Sequence, residues 1–113
     1  REHLKKQSTY RKRFLVREEA LTYFIEASAV DWLESARNYV VLHAGAQTHI
    51  VRATLEGLLA QLDPGQFVRI SRSAAINVSA LRAIASDSVH LKSGERLKAA
   101  PRNLSGLKSA HWI

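Results

Sequence analysis

Three short stretches, SARN at 35–38, SRS at 71–73 and PRN at 101–103, each set an arginine among small polar residues. These side chains suit planar hydrogen-bonding partners. A guanidinium can bond guanine O6 and N7 together, and an asparagine can bond adenine N6 and N7. Arg37, Asn38, Arg72, Arg102 and Asn103 are therefore candidate recognition residues, and Ser71 and Ser73 flank Arg72 where they can orient it. Lys92, Arg96, Lys98 and Lys108 lie near the third stretch in sequence. They are candidate phosphate contacts, which position a protein without reading a base. The other reading of Lys92 and Arg96 is a solvated hairpin.

Charge points the same way. The 113 residues carry a formal charge of +7. Residues 1–17 hold seven Lys or Arg against Glu2, a net of +6. Residues 18–65 hold two against seven acids, a net of −5, and residues 66–113 hold eight against two, again +6. A polarised surface of this kind suits polyanions as partners, the other reading being ordinary solubility charge.

Catalytic arrangements are absent from the pattern. The five histidines are scattered without metal-ligand spacing, the five glycines are isolated, and no serine sits in G-x-S-x-G. The chain is expected to be no enzyme and to take no metal or cofactor. It has no cysteine, hence no disulfide and no sign of an oxidising compartment. No apolar run approaches the roughly 20 residues of a membrane-spanning helix, so no membrane contact is expected. The length suits one domain. The first residue is Arg1 and not Met, so a fragment of a longer protein is expected.

The elements that must position the three arginine stretches are mostly strands. Residues 1–12 read as a basic linker or tail, and residues 13–113 as the folded domain. Apolar runs at 13–17, 21–27, 29–35, 38–44 and 48–53 recur at strand spacing, with GAQ as a hairpin loop between the last two. Leu55, Leu58, Leu59 and Leu62 form one helical face. Thr54 can cap its start and DPG can end it, which predicts a helix over 54–62. Strands return at 67–71, 73–77, 80–86 and 88–100, where KSGE makes a turn. Leu104 and Leu107 predict a short C-terminal helix of at most two turns. The fold class is mainly β: an elongated antiparallel domain with one well-formed helix and a short terminal one.

FVRISRSAAIN, residues 67–77, holds two arginines in an apolar run. Strand alternation places Phe67, Arg69 and Ser71 on one face and Val68 and Ile70 on the other. Arg69 is expected to be structural, with its head in solvent or paired with an acid of the middle segment. Its replacement is expected to leave the choice of partner sequence unchanged. Arg72 lies between two strands and can point away from the core. Trp32, Tyr39 and Phe67 fall in apolar strand patterns, so base stacking on exposed aromatics has little support.

The ordered set of elements resembles the LytTR family of bacterial DNA-binding domains over roughly residues 13–109. VDWLESARNYVVLH (30–43) resembles its strand pair ending in Asn-Tyr-Val. THIVRATLEGLLAQLDPGQFVRISRSAAIN (48–77) resembles its signature of Arg-x-Thr-Leu, a leucine face, Phe-x-Arg-x-x-Arg-Ser and a closing Asn. VHLKSGERLKAAPRNLSGL (89–107) resembles its last hairpin and helix. The departures are Ser71, where the family usually has His, Ala74, where it has a bulky aromatic, and Pro101 before Arg102, where a Ser is common. The resemblance implies binding to double-stranded DNA through loops, with base contacts from Arg37 and Asn38, from Arg72, and from Arg102 with Asn103. It also implies a transcriptional regulator in the bacterial cytoplasm, acting as a pair on repeated sites and often behind a receiver domain. A non-specific nucleic-acid binder and a protein-interaction module remain as alternatives.

The charge distribution generates the first prediction. Duplex affinity should fall steeply with salt, with a log–log slope of about −0.9 per phosphate neutralised. A titration of binding against salt checks it, and a slope near zero would remove the electrostatic argument.

Overall fold

The computed structural model describes residues 10–111, and their side chains as far as residue 107. Most of the expected basic tail, residues 1–9, lies outside the described residues. Arg11 and Lys12 are bonded into the fold: the Arg11 amide donates to the Gln61 carbonyl at 2.8 Å, and the Ala27 amide donates to that of Lys12 at 2.9 Å.

The strands are β1 (Arg13–Glu18), β2 (Leu21–Glu26), β3 (Trp32–Ala36), β4 (Tyr39–Ala44), β5 (Gln47–Arg52), β6 (Phe67–Ser71), β7 (Ala74–Asn77), β8 (Leu81–Ile84), β9 (Ser88–Leu91) and β10 (Arg96–Lys98). The helices are α1 (Leu55–Leu59) and α2 (Pro101–His111), and short 3-10 turns precede β3 and β8. All pairings are antiparallel. A five-stranded sheet in the order β5-β4-β3-β7-β6 stands between the β1-β2 hairpin and a three-stranded sheet β10-β9-β8.

One face of the central sheet is covered by the first core, the other is covered over β3, β7 and β6 by a second, and strand alternation divides the side chains between them. Leu33, Val40, Leu42, Ala75 and Phe67 face the first core, with Phe14 and Val16 of β1 and Leu55, Leu58 and Leu62 of the α1 region. Trp32, Ile70, Ala74 and Ile76 face the second, with Val89 and Leu91 of β9 and Leu104 and Leu107 of α2. Burial on two sides accounts for the unbroken apolar run Ala74–Ile76. Asn77 is the buried polar side chain among the described residues. Its Nδ2 donates to the Val30 carbonyl at 2.9 Å, and its Oδ1 accepts from the Ser79 amide at 3.0 Å, so both ends are satisfied.

The fold class is as expected, but the helix lengths are reversed. Thr54 caps α1 by accepting from the Gly57 amide at 3.0 Å. The α-helix then stops at Leu59, and the Gln61 and Leu62 amides bond three residues back, to Leu58 and Leu59. This tightening keeps Leu62 in the core while DPG turns the chain. In contrast, α2 has Pro101 in its first position and no further proline, and it runs for 11 residues through Gly106. The β1-β2 hairpin is fastened to β5 where the Tyr23 hydroxyl meets His49 Nδ1 at 2.8 Å. Loss of solvent around that hydroxyl raises its pKa, and the Glu18 carboxylate bonded to it adds to the rise.

Leu58 lies in the first core and Lys92 on an exposed turn. Leu58→Ala should cost about 2–5 kcal/mol in urea unfolding, by lost burial and the cavity left behind. Lys92→Ala should stay within about 0.5 kcal/mol of the parent. Equal midpoints for the parent and Leu58→Ala would contradict this packing.

Candidate nucleic-acid interface

Two hairpin tips stand side by side at one end of the central sheet. In β3–β4, the pairing Ala36↔Tyr39 leaves a two-residue loop, Arg37-Asn38. In β6–β7, Ser71↔Ala74 leaves Arg72-Ser73. Strands β3 and β7 are neighbours, with Glu34 opposite Ala74, and the Ser35 amide donates to the Ser73 carbonyl at 2.8 Å. Adjacent strands lie about 4.8 Å apart, so the two loops form one ridge. Arg37, Asn38, Arg72 and Ser73 are all exposed on it.

Arg37 has φ 60. Two-residue hairpin loops need such values to match strand twist, and Gly or Asn usually supplies them. An arginine there carries a steric cost of about 1–2 kcal/mol.

The second tip is shaped by a bulge. Arg69 pairs with Ala75 and Ser71 with Ala74, so Ile70 is the extra residue. Paired residues share a face, and the insertion therefore reverses the alternation. Arg69 stays on the first-core face, while Ser71 joins Ala74 on the second. The expectation that Arg69 and Ser71 share a face is corrected by this one residue. The Ile70 carbonyl accepts from the Ala100 amide at 3.0 Å, which sets the start of α2 beside the bulge. There Arg102 is exposed and Asn103 half-buried.

A groove joins these parts. It is lined by Trp32, Glu34, Ser71, Ser73, Ala74 and the segment Leu97–Ala100, which includes exposed Lys98. Ala74 is small where the family pattern has an aromatic, so the groove is open at that point. Its floor carries Trp32 stacked on His43, with ring centroids 3.9 Å apart and planes 4° from parallel. His43 Nε2 and Glu34 Oε1 are 2.8 Å apart.

Arg37, Asn38, Ser71, Arg72, Ser73 and Lys98 thus fall on one end of the sheet and the groove beside it, and Arg102 and Asn103 follow Ala100 in the first turn of α2. Lys92 and Arg96 sit instead on and beside the turn at the far end of β10 from Ala100. The Lys108 side chain lies outside the described residues. Trp32 and Phe67 are buried, as their strand patterns suggest, but Tyr39 is 44% exposed. Tyr39 pairs with exposed Arg52 across β4–β5, next to the Arg37 loop. Sequence reading passed over Arg52 as a site residue. The loop is Gly45-Ala46, one residue shorter than the expected GAQ, and counting the register outward from it finds Arg52, since Ala44 opposite Gln47 brings Tyr39 opposite Arg52.

Arg69 is exposed, in keeping with a head in solvent, and no acid meets it; beyond the expectation, Nε donates to the Ser71 carbonyl at 3.0 Å and Nη2 to the Arg72 carbonyl at 2.6 Å.

Residues 20–112 match the LytTr DNA-binding domain family. The chain belongs to that family. Among solved structures, it is similar to the LytTr DNA-binding domain of a Bacillus cereus protein described as a methyl-accepting/DNA response regulator. The identity is 19%, the TM-score is 0.78, and the match covers 91% of this chain and 99% of the other. At that identity the likeness speaks for the fold. No curated protein matches the chain. This LytTR domain is of a DNA-binding family and not of an enzyme family, and no described helix is long and apolar enough to cross a membrane.

The Arg37 backbone generates a prediction. Arg37→Gly should leave the melting temperature unchanged or higher, because glycine carries no steric cost at φ 60. Arg37→Val should lower stability by about 1–2 kcal/mol, since a β-branched residue fits that region poorly. Thermal melts of the two variants check it, and the reverse order would show that the loop adopts another conformation.

Proposed function

We propose that this domain binds double-stranded DNA with sequence preference, as the output domain of a bacterial transcriptional regulator such as a response regulator. The observation that supports it is the gathering of two arginine loops, distant in sequence, at one end of the sheet, with the start of α2 bonded to the bulge beside them. Arg37 with Asn38, Arg72, and Arg102 with Asn103 take base edges in this reading. Lys98 and Arg52 take phosphates, which fix position and add affinity. Ser71 and Ser73 flank Arg72 and contribute short polar contacts. Two copies act on paired or repeated sites, and the setting is the cytoplasm.

A protein-interaction module is the second reading. It draws on Ile50, 55% exposed on edge strand β5, and on Leu21 and Phe24 of β2, also exposed. That surface does not include the arginine ridge, so the two readings separate by mutation.

The test begins with selection of genomic fragments on the purified domain. Binding is then measured to a selected duplex and to a scrambled one at fixed salt. Arg72→Ala should reduce the preference between them by about fivefold to more than a hundredfold, corresponding to roughly 1–3 kcal/mol for a bidentate base contact. Arg72→Lys should recover it only in part, because an ammonium cannot reproduce the planar fork. Arg13→Ala, which removes the same charge from β1, should leave the preference intact. If Arg72→Ala weakened both duplexes equally, Arg72 would be a phosphate contact. No duplex preference in the parent domain would sink the reading.

A further inference from the structure

We propose that Arg69 is a positioning residue for Arg72: its exposed guanidinium braces the β6–β7 tip and so fixes the direction in which Arg72 is presented. The two bonds to the Ser71 and Arg72 carbonyls span the loop that carries Arg72. Hydrogen bonds from a charged donor are stronger than neutral ones. The guanidinium is planar and rigid, so two simultaneous bonds restrain the orientation of the peptide planes as well as their distance. The bulge makes this reach possible. Arg69 stays on the face of Ala75 while the chain beyond Ile70 crosses to the other face. Further bonds pin the same loop: the Ser73 amide faces Ser71 Oγ at 3.3 Å, and the Ser73 carbonyl accepts from the Ser35 amide. Arg72 itself is exposed, and its own carbonyl accepts from Arg69. A base contact depends on the angle of a side chain as much as on its charge, so a loosened tip loses preference before it loses affinity.

The effect on DNA rests on the reading given under Proposed function; the brace itself does not. The experiment therefore has two readouts. Selected and scrambled duplexes are titrated against Arg69→Lys, Arg69→Ala, Arg72→Ala and the Arg69→Lys/Arg72→Ala pair, across a range of salt. Amide hydrogen exchange at Ser35, Ser73 and Ala74 is measured on the free proteins. Arg69→Lys keeps the charge but not the fork. It should melt near the parent temperature, keep the parent salt slope, lose about fivefold or more in preference, and speed exchange at the three amides. It should cause no further loss of preference once Arg72 is alanine, because the two residues act as one unit.

Unchanged preference in both Arg69 variants would overturn the proposal. So would an equal loss on both duplexes with a salt slope reduced by about one contact in Arg69→Ala, which would make Arg69 a direct phosphate ligand. Loss of the fold in both single variants would make it a stability residue instead. If the parent domain showed no preference for any duplex, the functional reading would fail, and exchange alone would decide the brace. Parent-like exchange in Arg69→Lys would then overturn it.

Discussion

The extra residue at Ile70 is the constraint on which the arrangement of the domain depends. A bulge forfeits regular ladder bonding and bends its strand. Here its carbonyl is satisfied by the Ala100 amide, and its side chain is fully buried in the second core. Burying an isoleucine is worth about 1.5–3 kcal/mol, enough to offset a lost ladder bond of about 1 kcal/mol. The same residue thus sets the start of α2, turns Ser71 into the groove and leaves Arg69 able to reach the loop ahead of it. Without it, the β6–β7 tip and the α2 start would have no common reference.

The bulge is held because the sheet is a partition between two cores. β7 has all four residues buried and pairs on both sides, with β3 and β6. Slipping it by one residue would exchange Ala75 for Ala74 and Ile76 between the cores and unseat Asn77 from the Val30 carbonyl. The register of β7 against β3 in turn aligns the two tips. Position at the ridge is therefore inherited from packing some distance below it, and the loops themselves need few residues.

Much of this could be read from the sequence, and the parts that could not share a cause. Strands announced themselves by alternation and turn residues, and the leucine face by its period. The family pattern located the arginine segments. The bulge left no such signal. With apolar residues required on both faces, Val68, Ile70, Ala74 and Ile76 fit a regular strand as well as a bulged one, and the choice is made by contacts with α2. The helix lengths were missed for a related reason: Leu62 satisfies a helical period, yet it reaches the core through a tighter turn. The partners of Arg69 were missed because backbone carbonyls have no residue type. Arg52 was within reach of register counting, whereas the exposure of Tyr39 depends on what does not cover the end of β4.

The partners that the charged groups take bear on the electrostatic field of the ridge. Three acids of the middle segment are engaged with neutral donors: Asp31 accepts from the Gly45 amide, Asp63 from the Gly65 amide, Glu18 from the Tyr23 hydroxyl. Among the described residues the ion-pair contact is Glu34 with His43, and no Lys or Arg lies within 4.0 Å of a carboxylate. Several arginines are likewise bound to groups without charge. Arg11 meets the Gln61 amide oxygen, Arg13 lies 4.6 Å from the centre of the Phe24 ring, and Arg69 meets carbonyls. An acid in place of those carbonyls would hold Arg69 as firmly but would cancel one positive charge a few residues from Arg72. A carbonyl brace restrains the loop and leaves the charge in place. For a surface whose long-range attraction to a polyanion grows with every uncancelled cation, rigidity drawn from neutral acceptors comes without loss of field.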